Sequence, residues 1–591
     1  MNQAFYGFLS NRCTAALLSP VGVVEWLAWP RFDGEAVFCR LLDEAQGGFF
    51  STLPFSPLIA HYQCYRPGTL ILETTLETAE GVAHLTDFLP IGRHAYRRRI
   101  ATDIPLLLCC HPTFGFGYAA ASYELTESGA LFHHPAGVEA VVLAMRGDTR
   151  KLGERDAWRV GPGHVEIELR YGAEWGQEKG ELSLPVEDGD ALEAVTARYW
   201  KGALLRYDGP WKEWFDRSIL TIRGLSYRTN GALLASATTS LPEAVGETRQ
   251  WDYRFVWVRD GAYGAEALLL AGDPVACRQY LEFMFNLVDL VGKPYPSPFV
   301  RVDGSRAHGE RELLWLSGYR GSRPVRVGNA ASHQVQMDLE GELLWLLLMY
   351  WRMTGDRTLI RDYWWVVDTL VEWLTQHWND PDASLWEFRG PPDVYTHSQV
   401  LCWVGIGAGI ALAGEVLNRR DLVRRWKDSQ RRVRDHIMAS QRASGESFYT
   451  QSARSAVVDA ALLTLPLYGF VRVDDPLFLG TLRAIEDQLV VDGTVFRYRT
   501  DQLGPVRHPF TLAGFWLARV YLRLGEFDKA DRLIQRQLEL STDLRLFAEH
   551  VDPLSGEPHG NFPQLFPHAG LVTTLVERAR LRRGEPLPKG L

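Results

Sequence analysis

The chain has 591 residues, of which 46% are hydrophobic and 23% are charged, and its net charge is −9 at pH 7. This composition is typical of a globular protein with a large apolar core, and the length allows more than one domain. The mild negative charge argues against nucleic acid or an anionic membrane as a partner.

The cysteines and the N-terminus bear on the compartment of the protein. The seven cysteines are an odd number without CxxC spacing, which favours reduced thiols. The first residues, MNQAFYGFLSNRC, lack a basic stretch followed by a long apolar run, so no signal peptide is predicted. No uninterrupted apolar segment reaches the roughly 18 residues of a membrane span. We therefore expect a cytoplasmic protein.

The first third of the sequence predicts β-strands. Short alternating or β-branched runs occur at 21–29, 69–78, 138–145 and 164–171, and turns with Gly, Pro or Asp separate them. Many short strands with regular turns are typical of an antiparallel β-sandwich. We therefore predict an N-terminal β-sandwich domain at residues 1–215.

Long amphipathic stretches replace the strands from about residue 229. After a linker at 216–228, residues 229–591 are therefore predicted to form a second, helical domain. Twelve helices are predicted there, at 229–242, 257–271, 275–291, 336–354, 357–378, 397–418, 421–439, 456–468, 475–490, 508–524, 526–540 and 564–582.

The connections between these helices alternate between tight and long ones. Alternate connections of antiparallel helices lie at opposite ends of a bundle, so all the long connections should gather on one face. Long loops on a rigid scaffold commonly carry function. Six hairpins closed into a ring would form an (α/α)6 toroid. The predicted fold is therefore an α+β two-domain protein with a β-sandwich followed by this toroid.

Two glutamates in the long loops are candidate catalytic residues. Glu387 follows Leu385-Trp386 in the third long loop, and Glu549 follows Phe547-Ala548 in the sixth. Apolar neighbours can raise the pKa of one carboxyl while a polar setting keeps another ionised. Such a pair can hydrolyse a glycosidic bond. From the residues alone, two solvated loop glutamates are the alternative.

Patterns that suggest a cofactor or a metal lack their required context. The run Gly405-Ile406-Gly407-Ala408-Gly409 falls inside a predicted helix and follows no strand, unlike a dinucleotide-binding loop. The segment at 308–312 (HGERE) lacks the second histidine of a zinc hydrolase. We therefore predict no cofactor and no metal.

Several motifs resemble those of one enzyme family. Residues 249–260 (RQWDYRFVWVRD) resemble the first active-site loop of glycoside hydrolase family 15, which holds glucoamylases, glucodextranases and some bacterial trehalases. Residues 318–329, 385–390 and 560–564 are similar to three more of its motifs. Residues 25–33 resemble the start of the β-sandwich in bacterial members. The resemblance extends over nearly the whole chain.

The resemblance implies an exo-acting, inverting hydrolase that releases β-glucose from non-reducing α-linked ends. Glu387 would be the general acid and Glu549 the general base that activates water, with their carboxyls about 6.5–9.5 Å apart. Arg259 and Asp260 would bind hydroxyls of the terminal glucose, since Asp accepts from vicinal hydroxyls and Arg offers fixed donors. The alternative for these two is an ion pair at the start of a helix.

Three further residues are candidates for substrate binding through the same resemblance. Trp251 and Trp386 would lie against the apolar face of a sugar, with core packing as the alternative. Arg323 matches a substrate-binding arginine of the family, and bonding to loop carbonyls is its alternative. Gln399 stands where the family commonly has lysine, so the resemblance does not define the leaving-group side of the site.

The leading hypothesis is a glucoamylase-type enzyme that acts on α-glucans or oligosaccharides, and the alternative is an α,α-trehalase. A disaccharide phosphorylase is less favoured because Glu549 offers a second carboxylate where phosphorolysis needs a phosphate site. A non-catalytic carbohydrate-binding protein is less favoured because both glutamates are present. The expected partner is an α-linked gluco-oligosaccharide or disaccharide. The sequence determines neither linkage preference nor oligomeric state.

Overall fold

The computed structural model describes residues 5–588, apart from residues 127, 138, 154–155, 173–185 and 308. An N-terminal region of antiparallel sheets is followed by a helical region, as predicted. The first residue of the discounted 308–312 segment lies outside the described residues.

Two eight-stranded antiparallel sheets and a two-stranded ribbon form the described part of residues 7–172. In the strand Leu72–Thr78, buried and half-buried side chains alternate, as expected for a strand with one face in the core. The first sheet contains, in spatial order, Gly7–Ser10, Ala15–Leu18, Val24–Trp29 (with Glu35–Phe38 paired on it), Phe49–Pro54, Leu106–His111, Ala157–Val160 and Thr149–Lys151. The second contains Ser122–Thr126, Gly129–His133, Ala140–Arg146, Gly163–Gly172, Ala95–Thr102, Val82–Phe88, Leu72–Thr78 and Leu58–Tyr65, and the ribbon pairs Thr113–Phe114 with Ala119–Ala120.

The helices begin with one that follows the sheets, and several have clear N-terminal signals. Asp273 and Asp475 each cap a helix whose first residue is proline, and their carboxylates accept backbone N–H groups of the first turn. The helices are α1 Gly189–Gly202, α2 Lys212–Gly224, α3 Val258–Leu270, α4 Pro274–Phe285, α5 Leu339–Thr354, α6 Thr358–Asp362, α7 Trp364–His377, α8 Thr396–Ala411, α9 Arg420–Ser444, α10 Pro476–Leu489, α11 Thr511–Leu524, α12 Phe527–Glu539 and α13 Leu565–Arg582.

Five pairs of two-residue antiparallel strands occur in the described part of the long connections. They pair Val256–Trp257 with Phe299–Val300, Arg311–Glu312 with Arg326–Val327, Val490–Val491 with Thr494–Val495, Thr500–Asp501 with Gly504–Pro505, and His550–Val551 with Pro558–His559.

The start of the helical region differs from the prediction. Helix α2 occupies most of the predicted linker at 216–228, and it packs on α13. The predicted helix at 229–242 is wrong, because this stretch is irregular and extended. Its hydroxyl side chains bond to distant carbonyls: Ser236 donates to Pro563 O and Thr239 to Arg326 O. Such bonds give the backbone an alternative to a helix.

The remaining helices alternate between an inner and an outer position. In chain order the inner elements are α3, α5, α8, the 3-10 helix Ala460–Thr464, α11 and α13; each contacts the next, and α13 contacts α3. The predicted helix at 456–468 is thus only a short 3-10 helix. Outer helices such as α12 bury a single stripe of side chains, spaced three and four residues apart.

Helix α8 is apolar enough to pass for a membrane span. Together with the π turn that follows it, Thr396–Val416 has the length and composition to cross a membrane. In this structure 72% of the most apolar 18-residue window of that segment is buried inside the protein, because α8 is an inner helix with neighbours on several sides. A helix that is apolar all round is expected in such a position.

The β-sheets contact the helical region directly. Ser10 donates a hydrogen bond of 2.7 Å to Gly224 O, and the indole of Trp26 donates one of 2.9 Å to Ala237 O. Asp33 accepts a bond of 2.9 Å from Arg301 in a long loop. These contacts hold the long connections at residues 225–257 and 286–338 against the sheets.

Candidate active site

Two adjoining cavities lie among the long connections. We call the first the acid–base cavity, with an empty volume of about 510 Å³, and the second the outer cavity, with about 420 Å³. Both volumes include the open mouths. The residues that line both cavities are Tyr253, Trp386, Glu387 and Arg497. Glu549, Arg259 and Asp260 line only the acid–base cavity, so the two predicted carboxyls do face one shared space.

Glu387 lies at the junction of the two cavities on a tight turn. Its backbone is left-handed, with φ 57°, and its N–H donates to Ser384 O at 3.2 Å. Its Oε1 accepts from the Trp257 indole at 2.7 Å and from Arg259 Nη2 at 3.2 Å. Burial raises the pKa of Glu387, although the Arg259 charge and the Trp257 bond both lower it. A raised pKa is what a general acid requires.

Glu549 is buried on the other side of the acid–base cavity, with 3% of its side chain exposed. The Tyr253 hydroxyl donates to Oε1 at 3.2 Å, and His550 Nε2 lies 3.6 Å from the same atom. Oε2 has no hydrogen-bond partner among the described residues. The backbone of Gly560 (φ 78°) passes so close that a Cβ there would lie 2.8 Å from Oε2. Only glycine fits beside this carboxylate.

Arg259 and Asp260 are held at the start of α3. Arg259 donates from Nη1 to Gln336 at 2.8 Å and to Asp338 at 3.1 Å, and its Nη2 bonds Glu387. It therefore holds the Glu387 carboxyl in a fixed orientation. Burial raises the pKa of Asp260 to about 8, in spite of the Arg259 charge. Asp260 Oδ2 lies 3.7 Å from Arg259 Nε but has no hydrogen-bond partner among the described residues, so it can accept a hydrogen bond from a hydroxyl.

The other three predicted residues, Trp386, Trp251 and Arg323, differ in their position relative to the two cavities. Trp386 lines both cavities, and its indole donates to Asp459 at 2.8 Å. Trp251 lines the outer cavity, but the guanidinium groups of Arg389 and Arg326 lie 4.0 and 4.9 Å from its ring centroid. Arg323 is exposed and lies outside both cavities, so its position gives its predicted role no support.

Sequence reasoning missed a buried charged cluster beside Glu549. Arg497 donates from Nη2 to Glu243 at 2.5 Å, and the Trp251 indole donates to the same carboxylate at 2.9 Å. Burial acts to raise the pKa of Glu243, but Arg497 and its other cationic neighbours outweigh burial and lower it. In the sequence, the only signal for Glu243 and Arg497 was a position in or beside a predicted long loop.

The same cluster contains a group of potential metal ligands. Glu243, Glu549 and His550 place carboxylate and imidazole atoms within 4.8 Å of one another. The Arg497 guanidinium already neutralises Glu243, so the group fits an ion-pair network better than a cation site.

Gln399 also lies outside the two cavities. It is buried, and its side-chain N–H donates to Asn379 at 3.1 Å.

Known proteins are similar to this chain over its whole length. Family models described as Glycosyl hydrolases family 15 and as Trehalase-like, N-terminal match residues 210–527 and 5–171. Trehalase 1 of Sulfolobus acidocaldarius is 38% identical over 578 residues, covering 97% of this chain and 98% of that protein. The trehalase of Mycolicibacterium smegmatis is 32% identical, covering 98% and 91%. A bacterial glucoamylase solved with acarbose shares the fold, with a TM-score of 0.75, 13% identity, and coverage of 98% and 94%.

Proposed function

We propose that this chain, which belongs to glycosyl hydrolase family 15, is an inverting trehalase. The family makes it a glycoside hydrolase, as the sequence predicted. The leading hypothesis of a glucoamylase-type enzyme is not specifically supported. The alternative hypothesis is better supported, because the full-length relatives at 32–38% identity are named trehalases. The described likeness to a glucoamylase, at 13% identity, concerns the fold alone.

The observation that carries the proposal is the pair of cavities that meet at Glu387. Their linings share Tyr253, Trp386, Glu387 and Arg497, so the two cavities adjoin. Trehalose consists of two identical glucose units, joined through their anomeric carbons. One unit would occupy the acid–base cavity and the other the outer cavity, which places the glycosidic oxygen at the junction. Glu387 is the acidic side chain that lines both cavities within the described residues.

In this arrangement Glu387 is the general acid. Its proton passes to the glycosidic oxygen as the bond to the anomeric carbon breaks. The raised pKa keeps the proton in place before reaction. Arg259 and Trp257 then stabilise the carboxylate that the proton transfer leaves behind, since both bond its Oε1.

Glu549 is the general base and serves only the acid–base cavity. Its Oε2 is available to take a proton from water, and its Oε1 is held by Tyr253. Water activated there attacks the anomeric carbon from the face opposite the leaving oxygen, so the configuration inverts. Asp260 and Arg259 belong to the same cavity and would bind hydroxyls of the glucosyl unit that reacts.

The outer cavity suits a single polar sugar. Arg249 and Asp501 form a buried ion pair in its wall, with bonds of 2.8 and 2.5 Å. Asn329, Gln334 and Arg389 add amide and guanidinium groups. Such a wall offers both donors and acceptors to the hydroxyls of a leaving glucose. This polar lining is the reason to favour a disaccharide over a long glucan.

The scaffold proposed for this site is an (α/α)6 toroid. The closed series of contacts from α3 through α13 and back to α3 supports it, as does the alternation of inner and outer helices. In a toroid all the long connections lie at one end, which accounts for the gathering of both carboxyls.

A substrate panel tests the function. The protein is incubated separately with trehalose, maltose, isomaltose and starch, and released glucose is assayed. We expect the highest kcat/KM for trehalose. A higher kcat/KM for maltose or starch would support the glucoamylase hypothesis instead, and no turnover of any of these would reject both.

The stereochemistry of the products tests the mechanism. An inverting enzyme converts trehalose into one molecule of β-glucose and one of α-glucose, because the leaving unit keeps its configuration. Proton NMR before mutarotation should show the two anomers in equal amounts. Only α-glucose at the earliest times would mean retention, and Glu549 would then act as a nucleophile.

A further inference from the structure

A third cavity lies at the opposite end of the inner helices. Asp260 stands at the start of α3 in the active site, whereas Leu270, at the end of α3, lines this third cavity. We call it the far cavity; its empty volume is about 800 Å³, open mouth included. Its walls come from α3, α5, α11 and α13, from the end of the 3-10 helix Ala460–Thr464 with residues 467–469, and from the residues that follow α13. The proposed reaction uses none of its polar groups.

The lining of the far cavity combines aromatic rings with paired charges. The rings are those of Tyr263, Trp345, Tyr468 and Trp516. The charged groups are Glu266, Arg519, Arg523, Glu577 and Arg580. Flat rings match the apolar faces of a sugar, and planar guanidinium and carboxyl groups match its hydroxyls.

Two arginines of the far cavity share one carboxylate. Arg519 bonds both oxygens of Glu577 at 3.0 Å, and Arg523 donates to the same carboxylate at 2.6 Å. Burial acts to raise the pKa of Glu577, but these two arginines lower it to about 2, so it is ionised. An inorganic oxyanion would meet this carboxylate as well as the arginines, whereas burial raises the pKa of Glu266 and favours its neutral form. A hydroxyl group can instead accept from a guanidinium and donate to a carboxylate.

Two donors in the wall have no acceptor. The Trp516 indole N–H and Arg523 Nε–H make no hydrogen bond to any described residue, although Trp516 is only 1% exposed. A buried donor without a partner costs free energy that a ligand oxygen would recover. Trp516 and Tyr263 also line the acid–base cavity, so they form a wall between the two cavities.

We propose that the far cavity is a second, non-catalytic binding site for a neutral sugar of hexose size. Its rings contact the apolar face of the sugar, and Glu266, Arg523 and Arg580 bond its hydroxyls. The proposal rests on the far cavity itself and does not depend on the reaction proposed above.

Equilibrium dialysis against radiolabelled glucose tests the proposal. Val576 lines the far cavity, and Val576→Trp should fill it, so this variant should bind one glucose fewer per chain than the natural protein. The matched control Arg582→Trp adds the same ring to α13 outside the cavity and should leave the number unchanged. Asp260→Asn should weaken glucose binding in the acid–base cavity and leave glucose binding in the far cavity unchanged. If Val576→Trp and the natural protein bind the same number of glucose molecules per chain, the proposal is overturned.

A milder variant protects the test against misfolding. Glu266→Gln keeps the shape of the side chain, and losing one hydrogen bond should weaken this class of glucose site about 2- to 12-fold. Unchanged affinity would count against the proposal. Inorganic phosphate is dialysed in parallel: if phosphate binds in place of glucose and Val576→Trp abolishes it, the far cavity is an oxyanion site and the sugar assignment is wrong.

Discussion

At the residue scale, the carboxyl of Glu387 is under two opposing influences. Burial raises its pKa, while Arg259 and the Trp257 indole lower it, and burial is the stronger. In the proposed mechanism, the same two neighbours would stabilise the carboxylate that proton transfer leaves behind. The site therefore favours the protonated form before reaction and still compensates the charge afterwards.

Glu387→Gln should lower kcat for trehalose by at least about 10²–10⁴-fold, because the amide cannot supply the proton. In the natural protein, activity should fall as pH rises through the pKa of this acid, and the variant should lose that basic limb. The measurement is kcat as a function of pH. Glu415→Gln, at a half-exposed glutamate that pairs with Arg352, is the control and should behave like the natural protein. Normal turnover in Glu387→Gln would remove the residue from its role.

Asp260 should make the protein less stable as pH rises. Its pKa is about 8 in the folded protein against an ordinary value of 3.8, so the folded protein keeps this carboxyl protonated where the unfolded chain would ionise it. The stability it contributes is full below its unfolded pKa and is lost as pH rises through its folded pKa. Asp260→Asn should therefore raise Tm more at pH 8 than at pH 4.5, while it lowers kcat/KM.

The control for this prediction is Asp528→Asn, since 92% of the Asp528 side chain is exposed. Its Tm difference from the natural protein should not depend on pH in the same window. A Tm difference for Asp260→Asn that is constant from pH 4.5 to 8 would contradict the account of a buried, protonated carboxyl.

At the element scale, the N-terminus of α3 holds three groups of the site together. Trp257 immediately precedes the helix, and Arg259 and Asp260 are in its first turn. The Trp257 ring is stacked on Phe299, with centroids 4.3 Å apart, and Tyr253 packs against its edge. A helix start braced in this way gives the donors to Glu387 a defined direction.

Trp257→Phe should shift the basic limb of the pH–activity profile to higher pH. The indole bond lowers the pKa of Glu387, so its removal should raise that pKa, while the phenyl ring keeps the stacking. The profile of kcat/KM against pH measures the shift. Trp373→Phe, at a ring stacked on His377 in α7, should leave the limb in place. An unmoved limb in Trp257→Phe would show that this bond does not tune the acid.

At the scale of the whole molecule, both regions share one core. Buried side chains from Phe8 in the first strand to Leu575 in α13 belong to a single hydrophobic cluster. Hydrogen bonds such as that from Trp26 to Ala237 O cross the boundary. The sheets therefore brace the loops that carry the site.

Thermal unfolding should be a single cooperative transition, because neither region can keep its core without the other. Calorimetry of the natural protein, Trp26→Phe and Trp158→Phe measures this. Trp26 bonds across the boundary and Trp158 within the N-terminal region, yet both variants should lower the Tm of the same transition. Two transitions, with only the lower one affected by Trp158→Phe, would contradict a shared core.

The sequence by itself determined the order of the two regions and the gathering of both glutamates. Strand period, helix period and the alternation of tight and long connections are local properties, and they bring Glu387 and Glu549 to one end of the helices. The helix predicted from local pattern at 229–242 is wrong, because serine and threonine hydroxyls of this stretch donate hydrogen bonds to distant carbonyls.

Only the tertiary structure determined which side chains line the same cavity. Arg323 lies in a matching motif but outside the two active-site cavities, whereas Arg497 lies in no recognised motif and lines both. The raised pKa of Asp260, the junction position of Glu387 and the far cavity likewise result from packing among helices distant in sequence. Burial and charge pairing depend on all the neighbours of a side chain in space, and the order of residues along the chain does not show which residues those neighbours are.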